Sequence, residues 1–395
     1  MKILQVVSYG YLAGGAEKSV LLLRQKLQQR GHKVMVVASD HNKDTTQHFS
    51  DVTFAAIDKP AISLARKTLL HLWHTPAYQA IKNSIAEFKP DVVHFHTMGQ
   101  LSPAALFALG QVPGVLTVHG PEEYVNSIVE WNFPSNLFNG KPGVTNLTAL
   151  GKAYYIYFRF LQRPLYVHGF RKHVKAIIAP SNYMANVLKK EHYDVPIHHI
   201  YNGIELPEQQ PLRNTRQLLY VGRLEYVKGV DVLLKAMLTV VKTLPFTQLQ
   251  IAGDGAARAE LELFVKQHHL QNNVTFCGWL KGDAVRNCYQ QATAVVIPSV
   301  WPENLPTVCL EALATGRLII GSDTGGIPEL VKNEVTGRTV PAGDANALAI
   351  AITDVLQRPD LSAKSDACAI SAQQFAMTPF IKRLEKLYQT VVEES

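Results

Sequence analysis

TAVVIPSVWPENLPTVCLEALATG, residues 293–316, carries a strand, a loop and a helix in one passage. Its opening, TAVVIPS, is a short run rich in β-branched apolar residues, the composition of a strand covered on both faces. Pro306 suits the first turn of a helix and Gly316 the position just past its end, so the spacing predicts a helix over about 306–315. A buried strand followed at once by a bracketed helix is the unit from which parallel sheets are built.

The unit recurs on both sides of this passage. In the first half the apolar runs are KILQVV (2–7), KVMVVAS (33–39), DVVHFH (91–96), GVLTVHG (114–120) and KAIIAPS (175–181). In the second they are QLLYVGR (217–223), LQIAGDG (249–255), NVTFCG (273–278), TAVVIPS (293–299) and RLIIGSD (317–323). Longer helical patterns separate them, which predicts an α/β chain of two Rossmann-like, doubly wound sheets in tandem. A length of 395 residues suits two domains of roughly 200 residues each. The pattern breaks over YNGIELPEQQPLRNTRQ, 201–217, placing one domain at 1–200 and the other at 201–378. An amphipathic stretch at 379–395 reads as a closing helix that returns toward the first domain. Open parallel sheets bind ligands at the carboxyl ends of their strands, so two facing sheets would share one cleft.

Composition narrows the classes. Hydrophobic residues make up 47% and charged ones 18%, values of a globular enzyme rather than a disordered chain. Cys277, Cys288, Cys309 and Cys368 form no C-x-x-C pair, which argues against structural zinc and a disulfide framework and for a reducing cytoplasm. The N-terminal apolar run ends at Gly10, short of a signal peptide, and no stretch reaches the roughly 18 apolar residues of a spanning helix. The expected location is cytoplasmic, peripheral to the inner face of the cell membrane if attached at all. The net charge of +7 is concentrated in residues 1–200, where 21 Lys and Arg face 12 Asp and Glu. That half should meet something anionic, yet no zinc-finger, helix-turn-helix or RNP signature accompanies it, and nucleic acid is not expected.

Several polar segments follow predicted strands. In YGYLAGGAEKS, Glu17 stands where a Walker A loop needs Gly, and the glycines Gly10, Gly14 and Gly15 do not make G-x-G-x-x-G. Gly14 and Gly15 still open a helix whose N–H groups suit an anion, although a plain tight turn reads the same way. VGRLEYVKG, 221–229, sets Arg223 at a strand end and Lys228 at the start of the next helix, a fork and a point charge suited to a diphosphate, although such cations more often belong to a solvated face. Glu303 lies on the loop before the 306–315 helix and Glu311 inside it. The same interval separates Glu122 from Glu130 and Glu385 from Glu393, but without the flanking strand, Pro and Gly. Alone, the pair reads more readily as a helix cap plus a solvated Glu than as two acceptors for sugar hydroxyls. DTGGIPELV, 323–331, repeats the strand, Gly-Gly turn and Pro theme. His94, His96 and His119 end two strands without an H-E-x-x-H, and no D-x-D occurs anywhere. A metal-held diphosphate usually needs such a carboxylate pair, so no metal and no cofactor is expected.

Taken together, GGAE (14–17), TVHG (117–120), YNGIE (201–205), VGRLEYVKG, IAGDG, FCGWL (276–280) and PSVWPENLPTVCLEALATG resemble family 4 of the retaining GT-B glycosyltransferases, in order and over essentially the whole chain. The resemblance implies a GT-B fold and transfer of a sugar from a nucleoside diphosphate, UDP by default, to an acceptor hydroxyl, with a role in surface polysaccharide or glycolipid assembly. Arg223 and Lys228 then look like the pair that neutralises the donor diphosphate, Glu303 like the acid on the transferred sugar and Glu311 like the one on the ribose. The backbone from Leu305 to Thr307, including Pro306 and with Asn304 before it, resembles the phosphate and sugar cradle. Gly15, with Gly14, resembles the glycine approaching the phosphates, His119 the histidine over the donor sugar, and Gly278 to Leu280 the segment beneath the base. Asn304-Leu305-Pro306 departs from the Gly-Phe-Gly run of many members, so the donor sugar does not carry over. Retention in this family is ascribed to a front-face route in which the leaving phosphate takes the acceptor proton, which needs no carboxylate nucleophile.

The acceptor, carbohydrate, lipid-linked or small, is not encoded in these motifs. GKAYYIYFRFLQRPLYVHGFRKHVK, 151–175, mixes aromatics with Lys152, Arg159, Arg163, Arg171, Lys172 and Lys175. It suits an anionic membrane surface, or a pair of helices with aromatic cores and basic outer faces. Two other functions fit the architecture: a GT-B epimerase, which would act without an acceptor, and a non-catalytic sugar-nucleotide sensor, which would bind without turnover. A phosphorylase would need a longer chain and a pyridoxal-phosphate lysine.

Overall fold

The computed structural model describes residues 1–42, 47–120, 156–190, 194–208, 212 and 215–395. These fall in two units: the chain up to Gly203 together with Thr378–Ser395, and Ile204–Met377. The break lies inside the Gly/Pro-rich 201–217 stretch, whose residues 209–211, 213 and 214 are outside the described set. Where the chain leaves the second unit it runs beside its own point of arrival, with Ile204 N–H donating to Phe375 O and Met377 N–H to Ile204 O.

The strands of the first unit are β1 (Lys2–Tyr9), β2 (Lys33–Ser39), β3 (Val52–Phe54), β4 (Val92–Phe95), β5 (Gly114–Thr117), β6 (Val174–Ala179) and β7 (Ile197–His199). They form one parallel sheet in the order β3-β2-β1-β4-β5-β6-β7. Side chains alternate between its faces. One face sends Leu4, Val6, Val37, Val93, Phe95, Leu116 and Ile177 into the main core, against Ile81 and Phe170 from the covering helices. The opposite face packs Val7, Val36 and Ala38 against Val20 of helix Gly15–Gln29. It also carries His94, whose partner Tyr388 comes from the C-terminal helix Met377–Glu393. Ile381, Leu384, Tyr388 and Val391 of that helix are buried at intervals of three or four, the stripe expected of one amphipathic face.

The second unit has β8 (Gln217–Val221), β9 (Gln248–Ala252), β10 (Val274–Gly278), β11 (Ala294–Ile297), β12 (Leu318–Ser322) and β13 (Gly337–Val340), parallel and ordered β10-β9-β8-β11-β12-β13. All four residues of β11 and all five of β12 are buried, as continuous apolar runs require. Strand order reverses between β1 and β4 in one sheet and between β8 and β11 in the other. These switch points splay successive loops apart and open a crevice at the strand ends.

The opening stretch forms β11 and an α-helix over Thr307–Ala314. Pro306 is its N-cap rather than its first helical residue, with extended backbone and no side-chain acceptor for the first-turn amides. The helix closes where Gly316 predicts it: Gly316 N–H donates to Leu313 O and Arg317 N–H to Ala312 O. Cys309, Leu310, Ala312, Leu313 and Ala314 are buried, and full burial of Leu310 alone stabilises by about 2 kcal/mol.

Candidate functional site

The loops leaving β8 and β11 meet at the switch point of the second sheet. Arg223 lies two residues beyond β8, and Lys228 closes a single 3-10 turn, Tyr226–Lys228, that precedes helix Val230–Thr243. The β8 loop is fastened on two sides. Leu224 N–H donates to Asp254 O after β9, and Val300 N–H donates to Val227 O after β11. Gly229 follows Lys228 at φ 66°, and a Cβ there would lie 2.0 Å from Pro298 O, so only glycine lets the β8 loop close onto the end of β11.

That closure delivers a cation to a carboxylate. Lys228 Nζ donates to Glu303 Oε1 at 2.7 Å, and Ser299 Oγ donates to the same oxygen at 2.6 Å. The two charged side chains are only 21% and 15% exposed. Burial pushes the Glu303 carboxyl up, but Lys228, Ser299 and the charge of Arg223 outweigh it and hold the group below its usual range. Both bonds fall on Oε1, and Oε2 accepts none from the described residues. Arg223 keeps half of its side chain exposed, with Nη1 2.8 Å from Glu225 Oε1. Its backbone is pinned from beneath by Tyr220, whose hydroxyl donates to Arg223 O at 2.8 Å.

The Gly-Gly turn of DTGGIPELV supports the Glu303 loop. Gly326 N–H donates to Glu303 O at 2.7 Å, and a Cβ on Gly325, at φ 60°, would sit 2.1 Å from that same oxygen. Glu311 is oriented separately, by the Tyr289 hydroxyl donating to its Oε2 at 2.8 Å. Tyr289 is buried, and its own carbonyl accepts from the buried guanidinium of Arg317 at 2.8 Å. Leu305 is buried, while Asn304, Pro306 and Thr307 are partly exposed around the uncapped helix start. Gly278 ends the edge strand β10 and Leu280 lies two residues beyond it, two strands away from β8.

Gly14, Gly15 and His119 belong to the first unit. Gly14 is the N-cap of helix Gly15–Gln29 and offers no side-chain acceptor. His119 lies two residues past β5, its Nε2 3.3 Å from His96 Nδ1. Burial lowers the His119 ring to about 4, His94 to about 3 and His96 well below its ordinary value, so all three are neutral at pH 7. Only His94 is inside a strand, and its nitrogens pair with Tyr388 and Thr117. No group of three or more His, Cys, Asp or Glu among the described residues is arranged to hold a metal ion.

Of the basic aromatic stretch, 151–155 lie outside the described residues. Tyr166 and Phe170 face the core, whereas Ile156, Phe160 and Leu161 are exposed. Arg171 pairs with Asp194 at 2.6 Å. No helix among the described residues is long and apolar enough to cross a membrane. Sequence reasoning passed over Ser299, Tyr289 and the supporting role of Gly325 and Gly326. Ser299 was legible as the polar end of TAVVIPS, while nothing in the sequence ties Tyr289 to Glu311, twenty-two positions on.

A family model described as Glycosyl transferases group 1 matches residues 204–373, and one described as Glycosyltransferase Family 4 matches residues 13–208. Among curated proteins, an uncharacterised glycosyltransferase of Methanocaldococcus jannaschii is 37% identical over 141 residues, 36% of this chain and 36% of its own length. The first curated relatives are matched over less than half of their lengths. Among solved structures, sucrose-phosphate synthase from Thermosynechococcus elongatus aligns over 100% of both chains with a TM-score of 0.75 at 21% identity. HepE of Anabaena in complex with UDP-glucose aligns over 99% of this chain and 100% of its own, with a TM-score of 0.70 at 19% identity. At such identities the likeness bears on the fold, two Rossmann-like units of the GT-B kind.

Proposed function

Because the chain belongs to glycosyltransferase family 4, we propose that it moves a sugar from a nucleoside-diphosphate sugar, UDP-linked, to an acceptor hydroxyl with retention at the anomeric carbon and without a metal. The observation that carries this reading is the meeting of Arg223, Lys228, Ser299 and Glu303 at the switch point of the second sheet, beside a helix start with no side-chain cap. Breaking the anomeric C–O bond leaves negative charge on the departing diphosphate, which fixed cations and N–H groups stabilise best where water is scarce. Arg223 offers a fork and Lys228 a point charge, and the N–H groups at the start of helix Thr307–Ala314 add the positive end of a dipole. When the diphosphate takes Lys228, the Glu303 carboxylate turns from the ammonium to the hydroxyls of the transferred sugar. Glu311, set by Tyr289, takes the ribose hydroxyls. Each carboxylate is already engaged by hydrogen bonds as an acceptor, which supports leaving the acceptor proton to the diphosphate rather than making either acid a nucleophile.

Gly14, Gly15 and His119 contact the donor from the first unit, Gly278 and Leu280 the base, and Asn304, Leu305, Pro306 and Thr307 the phosphates and sugar. The acceptor is a carbohydrate or lipid-linked hydroxyl in surface polysaccharide or glycolipid assembly. The exposed Ile156, Phe160 and Leu161 within a basic stretch support peripheral contact with an anionic membrane from the cytoplasmic side. UDP-glucose in the HepE complex supports a UDP donor. The test is a thermal-shift panel of UDP-, GDP- and ADP-sugars, followed by donor turnover in EDTA. The expected outcome is selective stabilisation by a UDP-sugar and undiminished turnover in chelator. Stabilisation by none of them opposes the function, and turnover lost in EDTA and restored by Mn²⁺ opposes the metal-free route.

A further inference from the structure

Arg223 does not stand alone beyond the end of β8. Its Nη1 is 2.8 Å from Oε1 of Glu225, two residues on, and Leu224 between them is buried. Glu225 is the N-cap of the 3-10 turn Tyr226–Lys228, with extended backbone and no side-chain bond to the amides of that turn. Its carboxylate is thus given to Arg223 and not to capping. The backbone beneath is fixed: Arg223 O accepts from the Tyr220 hydroxyl, Leu224 O from Ala257 N–H at 2.9 Å, and Glu225 O from Lys228 N–H at 3.0 Å. The side chains are left to exchange partners.

Together with the pair of Lys228 and Glu303, this puts two cations and two carboxylates on the loops after β8 and β11, all within the second unit. The four charges cancel. The side chains of Arg223 and Glu225 are 49% and 33% exposed, and ion pairs so exposed add little to stability. Such a pair opens readily when a stronger anion arrives. A diphosphate that takes Arg223 must then displace Glu225 and lie close to its negative charge, a repulsion that grows with the charge of the ligand. Once the sugar has left, the terminal phosphate carries a further ionisation that is largely complete at pH 7. The product is therefore repelled more than the donor.

We propose that Glu225 is a specificity-determining residue: its carboxylate holds Arg223 in the ligand-free protein and competes there with the diphosphate, so that the site favours the sugar nucleotide over the nucleoside diphosphate left after transfer. The identity of those two ligands rests on the function proposed above, whereas the competition for Arg223 does not. Two cations without carboxylate partners would hold the product more tightly and delay its departure.

The test is calorimetric titration of UDP, UDP-glucose and inorganic pyrophosphate, at pH 7 and low salt, into the wild type, Glu225→Gln, Arg223→Gln and the double variant. Glu225→Gln is expected to bind UDP and pyrophosphate about 5-fold more tightly or better, and UDP-glucose by a smaller factor, with the gain shrinking at high salt. In the Arg223→Gln background the same substitution should tighten either anion by no more than about 2-fold, because the group competed for is gone. A merely structural role for Glu225 would produce neither the gain nor its dependence on Arg223. A Glu225→Gln protein that binds both anions no more tightly than the wild type, or a gain undiminished without Arg223, overturns the proposal. Equal gains for UDP and UDP-glucose overturn the preference for donor over product. A wild type that binds pyrophosphate but neither nucleotide, with the gain in Glu225→Gln intact, removes the function proposed above and leaves the competition for Arg223 standing.

Discussion

At Glu303 two opposing effects share one oxygen. Burial disfavours the charge, and the ammonium of Lys228 with the hydroxyl of Ser299 more than offsets it, so the carboxylate stays ionised through the neutral range. In the ligand-free protein each member of the pair therefore neutralises the other, and a diphosphate must win Lys228 from Glu303. Glu303→Gln removes that competition. The variant should bind UDP at least as tightly as the wild type in a calorimetric titration, while turnover of the UDP-sugar falls about 100-fold or more. Weaker UDP binding with turnover intact would mean that the carboxylate helps hold the nucleotide and does not act on the sugar. How far this was legible depends on the kind of contact. Arg223, Lys228 and Glu303 stand out in sequence because each follows a strand and carries charge. Ser299 shows only as the polar end of a strand run and Tyr289 not at all, because a hydroxyl that orients a carboxylate leaves no spacing rule; only the fold brings Tyr289 of helix Asp283–Gln291 against helix Thr307–Ala314.

Among the elements, the turn that carries Gly325 shows how one segment fixes the backbone of another. Its sequence, Gly-Gly followed by Pro after a strand, reads either as a further source of backbone N–H groups or simply as a turn, and the structure uses it as a backstop for the Glu303 loop. Gly325→Ala would place a methyl group 2.1 Å from Glu303 O in a left-handed backbone conformation, so the loop must move. The expected result is an unfolding temperature lower by about 5 °C together with loss of most donor turnover. A variant as stable and as active as the wild type would show that the loop is held by other contacts. The strands that the sequence did not reveal, β3, β7 and β13, share a physical reason. VTF, IHH and GRTV are three or four residues long, at or near sheet edges, and too short or too polar to stand out as apolar runs. β11, although only four residues long, and β12 were legible because burial on both faces makes AVVI and LII unbroken apolar runs.

For the whole molecule, charge is unevenly divided between the two halves of the sequence. The first half of the chain holds the excess of Lys and Arg, yet its sheet buries His94 as a neutral ring, held to about 3 by desolvation. An unfolded histidine takes a proton near pH 6.5 and the folded one does not. Stability from this residue is thus complete above that value and is lost as pH falls toward 3, by about 2 kcal/mol at pH 5. Thermal unfolding followed from pH 7 to pH 5 should show a falling midpoint, and His94→Gln should flatten that slope even if it lowers the midpoint at pH 7. An unchanged slope in the variant would place the acid sensitivity elsewhere. The central claim concerns the second unit: cations at the β8 strand end grip a nucleoside diphosphate. Its most direct test is calorimetric titration of UDP into the wild type and into the Arg223→Ala/Lys228→Ala double variant. Two charge-assisted contacts predict an affinity loss of about 100-fold or more with the protein still folded, whereas a double variant that binds UDP as the wild type does would contradict the account.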